Sequence, residues 1–216
     1  MRRMPLDLPL VGLIVVGLLL ATANIGAQPA DSVGRVTAIE GRATILRQGR
    51  FVAEPLRLKT LVFPEDIIET DAASKVRITL ADTTVVSLGE QSRLEVTQFL
   101  YDARQQTRTA RLGMTRGFFR AIINKLVPQS TFDMITPTAV AAIRGTDLMG
   151  EVTAESTSIV VLEGTVMISN VRTPFRDSAT LTPGTGTTVA ADQPPSAPTQ
   201  WSEARIEALR RATAVQ

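Results

Sequence analysis

The sequence predicts an all-β domain, a β-solenoid or β-roll-like stack of short strands, followed by a short C-terminal α-helix. Three observations predict it. Lys75-Val76-Arg77-Ile78-Thr79-Leu80 alternates strictly, with Val76, Ile78 and Leu80 on one side and Lys75, Arg77 and Thr79 on the other, the period-two pattern of a half-buried strand. Turn residues recur at Glu40-Gly41, Gln48-Gly49, Pro64-Glu65-Asp66, Gly113, Glu163-Gly164 and Pro183-Gly184, which spaces short strands at about ten residues, as in sandwiches, barrels and solenoids. Strands this narrow, with no long helix between them, favour a coiled stack, although no strict repeat period is present.

The N-terminus comes first in order. Met1-Arg2-Arg3-Met4 is followed by an apolar stretch from Leu10 through Leu20 and by the small residues of Ala21-Thr22-Ala23-Asn24-Ile25-Gly26-Ala27. A basic start, a short apolar run and small residues at cleavage spacing define a signal peptide over residues 1–27, cut after Ala23 or after Ala27. Gly12 and Gly17 break the stretch, which falls short of the roughly 20 apolar residues of a bilayer span, so cleavage is favoured over an uncleaved anchor. The expected compartment is the periplasm or the exterior, with membrane contact only through an uncleaved leader. Too few residues precede the apolar run for a cytoplasmic domain.

The β domain is expected over residues 31–191. Its strands are read at Val33 to Ile39, Ala43 to Leu46, Lys75 to Leu80, Thr84 to Leu88, Arg93 to Leu100, Thr107 to Leu112, Phe118 to Ile123, Thr131 to Ile135, Leu148 to Thr153, Ser156 to Leu162 and Thr165 to Ser169. The segment Phe118 to Leu126 also fits a helical stripe and is read as strand. Residues 192–200 hold Pro194, Pro195 and Pro198 and form an extended linker. A helix follows over residues 201–214, with Ser202 as N-cap, Glu203 at the positive end of the dipole, and Trp201 packing on Ile206. Its apolar stripe of Ile206, Leu209 and Thr213 is narrow, which favours a loosely docked helix over a partner-binding or dimerisation helix.

Composition excludes several functions. The chain has no cysteine and no histidine, which removes disulfides, thiolate catalysis, zinc–thiolate sites, the commonest metal ligand and the commonest general base. With 23 Lys and Arg against 21 Asp and Glu, global charge implies no nucleic-acid partner. Asp66, Asp82, Asp147 and Glu163 could in principle form a glycosidase-type acid pair, but each is accounted for more simply at a turn or strand end. The expectation is a non-enzymatic protein without metal or cofactor.

The order of motifs resembles the FecR domain, the extracytoplasmic module named after the iron-citrate regulator of Gram-negative bacteria. Gly34-x-Val36 with Gly41 resembles its opening, and Asp66-Ile67-Ile68-Glu69-Thr70 its next element, followed by Ser74 to Leu80. The most specific stretch is Thr136-Pro137-Thr138-Ala139-Val140-Ala141-Ala142-Ile143-Arg144-Gly145-Thr146-Asp147-Leu148. Val160-Val161-Leu162-Glu163-Gly164-Thr165-Val166 and Leu181-x-x-Gly184 resemble the closing elements. Asp82-Thr83 stands where the family has Asp-Gly, and Leu148 where an aromatic is common. The founding regulators join a cytoplasmic anti-sigma domain to a periplasmic sensor, and only the latter transfers. The resemblance therefore implies a stand-alone exported module that engages another envelope component, or a sensor subunit signalling to a separate membrane regulator.

Two groups of residues are candidate sites. Arg144-Gly145-Thr146 admits two readings: Arg144 as a bidentate anchor for a carboxylate or phosphate, or Arg144 paired inside a turn with Asp66, Asp147 or Glu163, where Gly145 supplies a backbone conformation closed to other residues; Gly164 belongs to the same set of motif residues. The structural reading is favoured on the sequence. The second group is Arg104, Arg108, Arg111, Arg116, Arg120 and Lys125, a stretch without acids. Alternation alone can produce it, but it could also form a basic face for an envelope protein or an anionic envelope polymer, and export disfavours nucleic acid.

Overall fold

The computed structural model describes residues 31–125, 129–173 and 177–216, so the leader at 1–27 lies outside the described residues. In chain order the strands are β1 (Gly34–Glu40), β2 (Ala43–Leu46), β3 (Glu54–Pro55), β4 (Leu61–Val62), β5 (Ile67–Thr70), β6 (Lys75–Leu80), β7 (Val85–Leu88), β8 (Arg93–Asp102) and the long β9 (Thr107–Ile123). After them come β10 (Thr131–Ile135), β11 (Ala139–Ile143), β12 (Thr146–Val152), β13 (Ser156–Glu163), β14 (Val166–Asn170), β15 (Ala179–Leu181), β16 (Thr185–Ala190), β17 (Thr199–Gln200) and the helix α1 (Glu203–Thr213).

The strands form two sheets that share β9. One runs β4-β1-β6-β7-β9-β12-β13-β16-β17. The other runs β3-β2-β5-β8-β9-β10-β11-β14-β15. All these pairings are antiparallel except β9 with β10. Neither sheet closes, and no solenoid coil is present among the described residues. The expectation of a coiled stack is corrected here, because antiparallel pairing between sequence-distant strands replaces stacked coils. Of the four outermost strands, β3, β4 and β17 have two residues each and β15 three, which leaves little edge for another chain to extend.

Alternation explains the core. Val76, Ile78 and Leu80 of the first sheet and Ile68, Leu112, Met114, Phe132 and Ile168 of the second belong to one buried cluster between the sheets, and each such side chain contributes about 1.5–3 kcal/mol by burial. The turn expected at Gly113 is absent. Gly113 lies inside β9, and the strand changes sheet instead at Gly117, whose φ is +99° and where a Cβ would strike the Ser92 side chain. Only glycine permits that bend. The segment after Phe118 is strand through Ile123.

Sequence reading left β3, β4, β5, β11, β15, β16 and β17 unassigned. In β16 the run Thr185-Gly186-Thr187-Thr188-Val189-Ala190 lacks apolar alternation, and Gly186 is there because the Trp201 indole occupies the place of its Cβ.

The helix is docked, not loose. Ile206, Leu209 and Trp201 pack with Met149 and Val160 on the outer face of the first sheet, flanked by Phe118 and Leu162. Ser202 caps the N-terminus by accepting from Arg205 N. At the other end Lys75 Nζ donates to Arg211 O at 2.8 Å and Ala214 O at 2.9 Å, and the Arg77 guanidinium donates to Val215 O. The outward half of the β6 alternation thus satisfies helix carbonyls that would otherwise lack donors. Among the described residues no helix is long and apolar enough to cross a membrane.

Candidate anion-binding groove

Three connections cross between the sheets at one end of the molecule: β9 to β10, β11 to β12 through Arg144-Gly145, and β13 to β14 through Gly164-Thr165. A groove of about 670 Å³ opens there, lined among others by Lys125, Ser130, Asp133, Arg144, Thr165 and Met167.

The motif around it is built residue by residue. Thr136 and Thr138 are buried, and their hydroxyls meet that of Thr157 at 2.6 and 2.8 Å. Thr136 Oγ1 also accepts from Ala139 N at 2.9 Å, closing the turn into β11. Ile143 lies in the core. Gly145 has φ +61°, and a Cβ on it would lie 2.5 Å from Lys125 Cβ. Gly164 has φ +84°, and a Cβ on it would collide with Gly145 O. Thr146 Oγ1 donates to Thr165 O at 3.0 Å. Asp147 receives a two-pronged hydrogen bond from Arg120, at 3.0 Å from Nε and 2.7 Å from Nη2.

Arg144 alone has no such task. It is exposed, and none of the acids named for it on the sequence pairs with it. Asp66 is buried and accepts from Arg47 Nη1 at 2.5 Å and Phe63 N at 2.7 Å. Asp147 is held by Arg120, and Glu163 is exposed. The structural reading of Arg144 is therefore corrected: it has no ion pair among the described residues, because Asp66 and Asp147 are engaged by Arg47 and Arg120 and exposed Glu163 does not come within ion-pair distance of it.

The basic stretch is corrected in the same way. Arg108 is not on the surface. It points inward, pairs with buried Asp82, and lies over the Phe132 ring at 5.0 Å to the centroid. Arg111 faces Asp133 at 3.8 Å, Arg116 faces Glu69 at 3.3 Å, and Arg120 binds Asp147. Arg104 sits in the β8–β9 turn, its backbone N donating to Asp102 Oδ1 at 2.8 Å. The six residues occupy both sheets, a turn and the interior, so they share no face. Of them only Lys125 joins the groove.

Electrostatics follow from burial. Burial raises the pKa of Asp133, against the opposing pull of Arg111. Burial likewise raises that of Asp66 and outweighs its hydrogen bonds. The hydrogen bond from Arg93 lowers that of Glu69. The groove thus holds the cations Lys125 and Arg144 and one carboxylate that burial drives towards its neutral form. Planar guanidinium and flexible ammonium groups flanked by hydroxyls are the chemistry of carboxylate or phosphate recognition. Among the described residues no three acidic side chains are grouped to hold a metal ion. Sequence reading named Arg144 and Lys125 but missed Asp133, Thr165 and Met167. The one local sign was Met167, an apolar residue 52% exposed on an otherwise buried strand.

Fold and groove together define a class, a two-sheet β domain with a loop-built groove at one end and a C-terminal helix sealing one sheet. Residues 66–167 match the family described as FecR protein, and this segment contains every residue that lines the groove. Two crystal structures of a candidate anti-sigma factor from Parabacteroides distasonis, solved at 1.65 and 2.50 Å, share the fold with TM-scores of 0.54 at 17% identity. The match covers 66% of this chain and 63% or 62% of the other, so this chain spans less than two thirds of that protein's length. The curated proteins contain no match to the chain.

Proposed function

We propose that this chain is an extracytoplasmic FecR-type binding module that holds an anionic group of another envelope component between Arg144 and Lys125, without catalysis. The observation that carries the reading is Arg144 itself, a motif arginine without an ion pair among the described residues, exposed in the lining of a groove. Export rests on the leader sequence. The absence of catalysis is supported by the acids, since Asp66, Asp82 and Asp147 are each held by an arginine, which leaves no free pair of carboxylates among them. A second reading, a sensor subunit passing a signal to a separate membrane regulator, draws support from the fold shared with a candidate anti-sigma factor.

Co-sedimentation with purified peptidoglycan and with lipopolysaccharide tests the first reading. Binding should weaken as salt rises and fall about tenfold or more in Arg144→Ala, the loss of one charge-assisted contact. Binding that ignores both salt and the substitution would refute it. Crosslinking in the envelope separates the two readings by whether a polymer or a membrane regulator is captured.

A further inference from the structure

We propose that the corner formed by the β2–β3 hairpin and the β3–β4 crossing docks on the surface of an anionic lipid bilayer. Four of the seven exposed large hydrophobic residues among the described residues fall between positions 51 and 61: Phe51 at 100%, Val52 at 76%, Leu58 at 57% and Leu61 at 48%. Phe51 stands at the hairpin tip with no burial at all. The tip is tied to β4 because Arg47 Nη1 donates to Leu61 O at 2.9 Å, while Arg47 also faces Asp66.

Charge accompanies the apolar groups. Arg50, Arg57 and Lys59 are exposed and have no ion pair among the described residues, and Arg35, also exposed, lies opposite Leu61 in register. The one acid within this segment is Glu54; Glu65 beyond it accepts from Gln48 Nε2 at 2.5 Å. An exposed aromatic among unpaired cations suits the headgroup boundary, where the ring enters and the cations meet phosphates. A protein hot spot would instead centre on a packed apolar pocket, whereas the pocket of about 320 Å³ beside Leu61 and Arg35 is lined largely by small and polar residues, among them Ser32, Gly34, Thr79 and Thr83. The first described residues also enter the fold here, where Val33 N donates to Val62 O at 2.8 Å. No groove residue takes part, so the inference stands apart from the anion site.

The test uses residues 31–216, which hold both buried clusters, so that the apolar leader does not mask the result. The protein is sedimented with vesicles of phosphatidylcholine alone and with vesicles that also contain phosphatidylglycerol. Binding is expected on the second kind only, reduced by salt, about tenfold weaker for Phe51→Ser and about 30-fold weaker for Arg50→Ser with Arg57→Ser. All these positions are exposed, so thermal unfolding should be unchanged. Absence of binding, equal binding to both vesicles, or an unaffected Phe51→Ser would overturn the proposal. So would a Phe51-dependent dimer in sedimentation velocity without vesicle binding, which would assign the patch to a second copy.

Discussion

Arg108 and Asp82 form an ion pair in the interior, with side chains 2% and 0% exposed, and it joins one sheet to the other. Asp82 also accepts from Thr84 Oγ1 at 2.7 Å and Thr84 N at 3.1 Å. This carboxylate therefore organises the β6–β7 turn, where Thr83 adopts φ +66°. The pair is internal architecture, although its two residues lie 26 apart in sequence.

Removing one member strands the other as an uncompensated buried charge. Asp82→Ala and Arg108→Ala are each expected to cost about 3–5 kcal/mol, measured by urea unfolding. The double replacement by apolar residues should cost clearly less than the sum. If Arg108→Ala unfolds at the wild-type midpoint, the pair has no structural weight.

Asp133 gives the groove a pH dependence. Because burial raises its pKa, the folded protein binds this proton more readily than the unfolded chain. The associated stability is present at low pH and is lost as pH rises through the raised folded value. Ionised Asp133 opposes an anion held by Arg144 and Lys125, so binding of peptidoglycan or lipopolysaccharide should strengthen as pH falls through that titration. Asp133→Asn should bind tightly with this step removed, and a pH profile identical to that of wild type would show that Asp133 does not face the bound group.

Gly145 and Gly164 are expected to be intolerant. Both have positive φ, and a left-handed conformation costs a residue with a side chain about 1–2 kcal/mol. Gly145→Ala adds a clash with the Lys125 side chain, and Gly164→Ala one with the Gly145 carbonyl. Thermal unfolding should show both destabilised by more than the torsional cost, while Gly49→Ala, which meets nothing nearby, should show only that cost.

Trp201 anchors the helix. Trp201→Ala is expected to cost about 3–5 kcal/mol and to release the C-terminal segment first. Limited proteolysis should then cut near residues 198–203 in the variant and spare wild type. Equal protection of the two would show that Ile206 and Leu209 hold the helix without it.

Much of the fold was legible because strand alternation and capping are local. Lys75 to Leu80 could be read residue by residue, and so could Ser202 at the helix start. What escaped reading depends on partners far along the chain. Gly113 and Gly117 are alike as letters, yet only Gly117 carries the bend, since only there does β9 leave one sheet for the other. The groove was half legible, in Arg144 and Lys125, while Asp133 and Met167 join it through the pairing of β10 with β11 and of β11 with β14.

From residue order alone came the β-rich class, the exported leader as an expectation, the FecR motifs and the C-terminal helix, all products of short-range pattern. Tertiary structure decided which charges are free. Arg108, Arg116 and Arg120 meet acids 26, 47 and 27 residues away, whereas Arg144 meets none among the described residues. A charge is silenced only when folding brings its counterion within a few ångströms, and no local pattern records that distance.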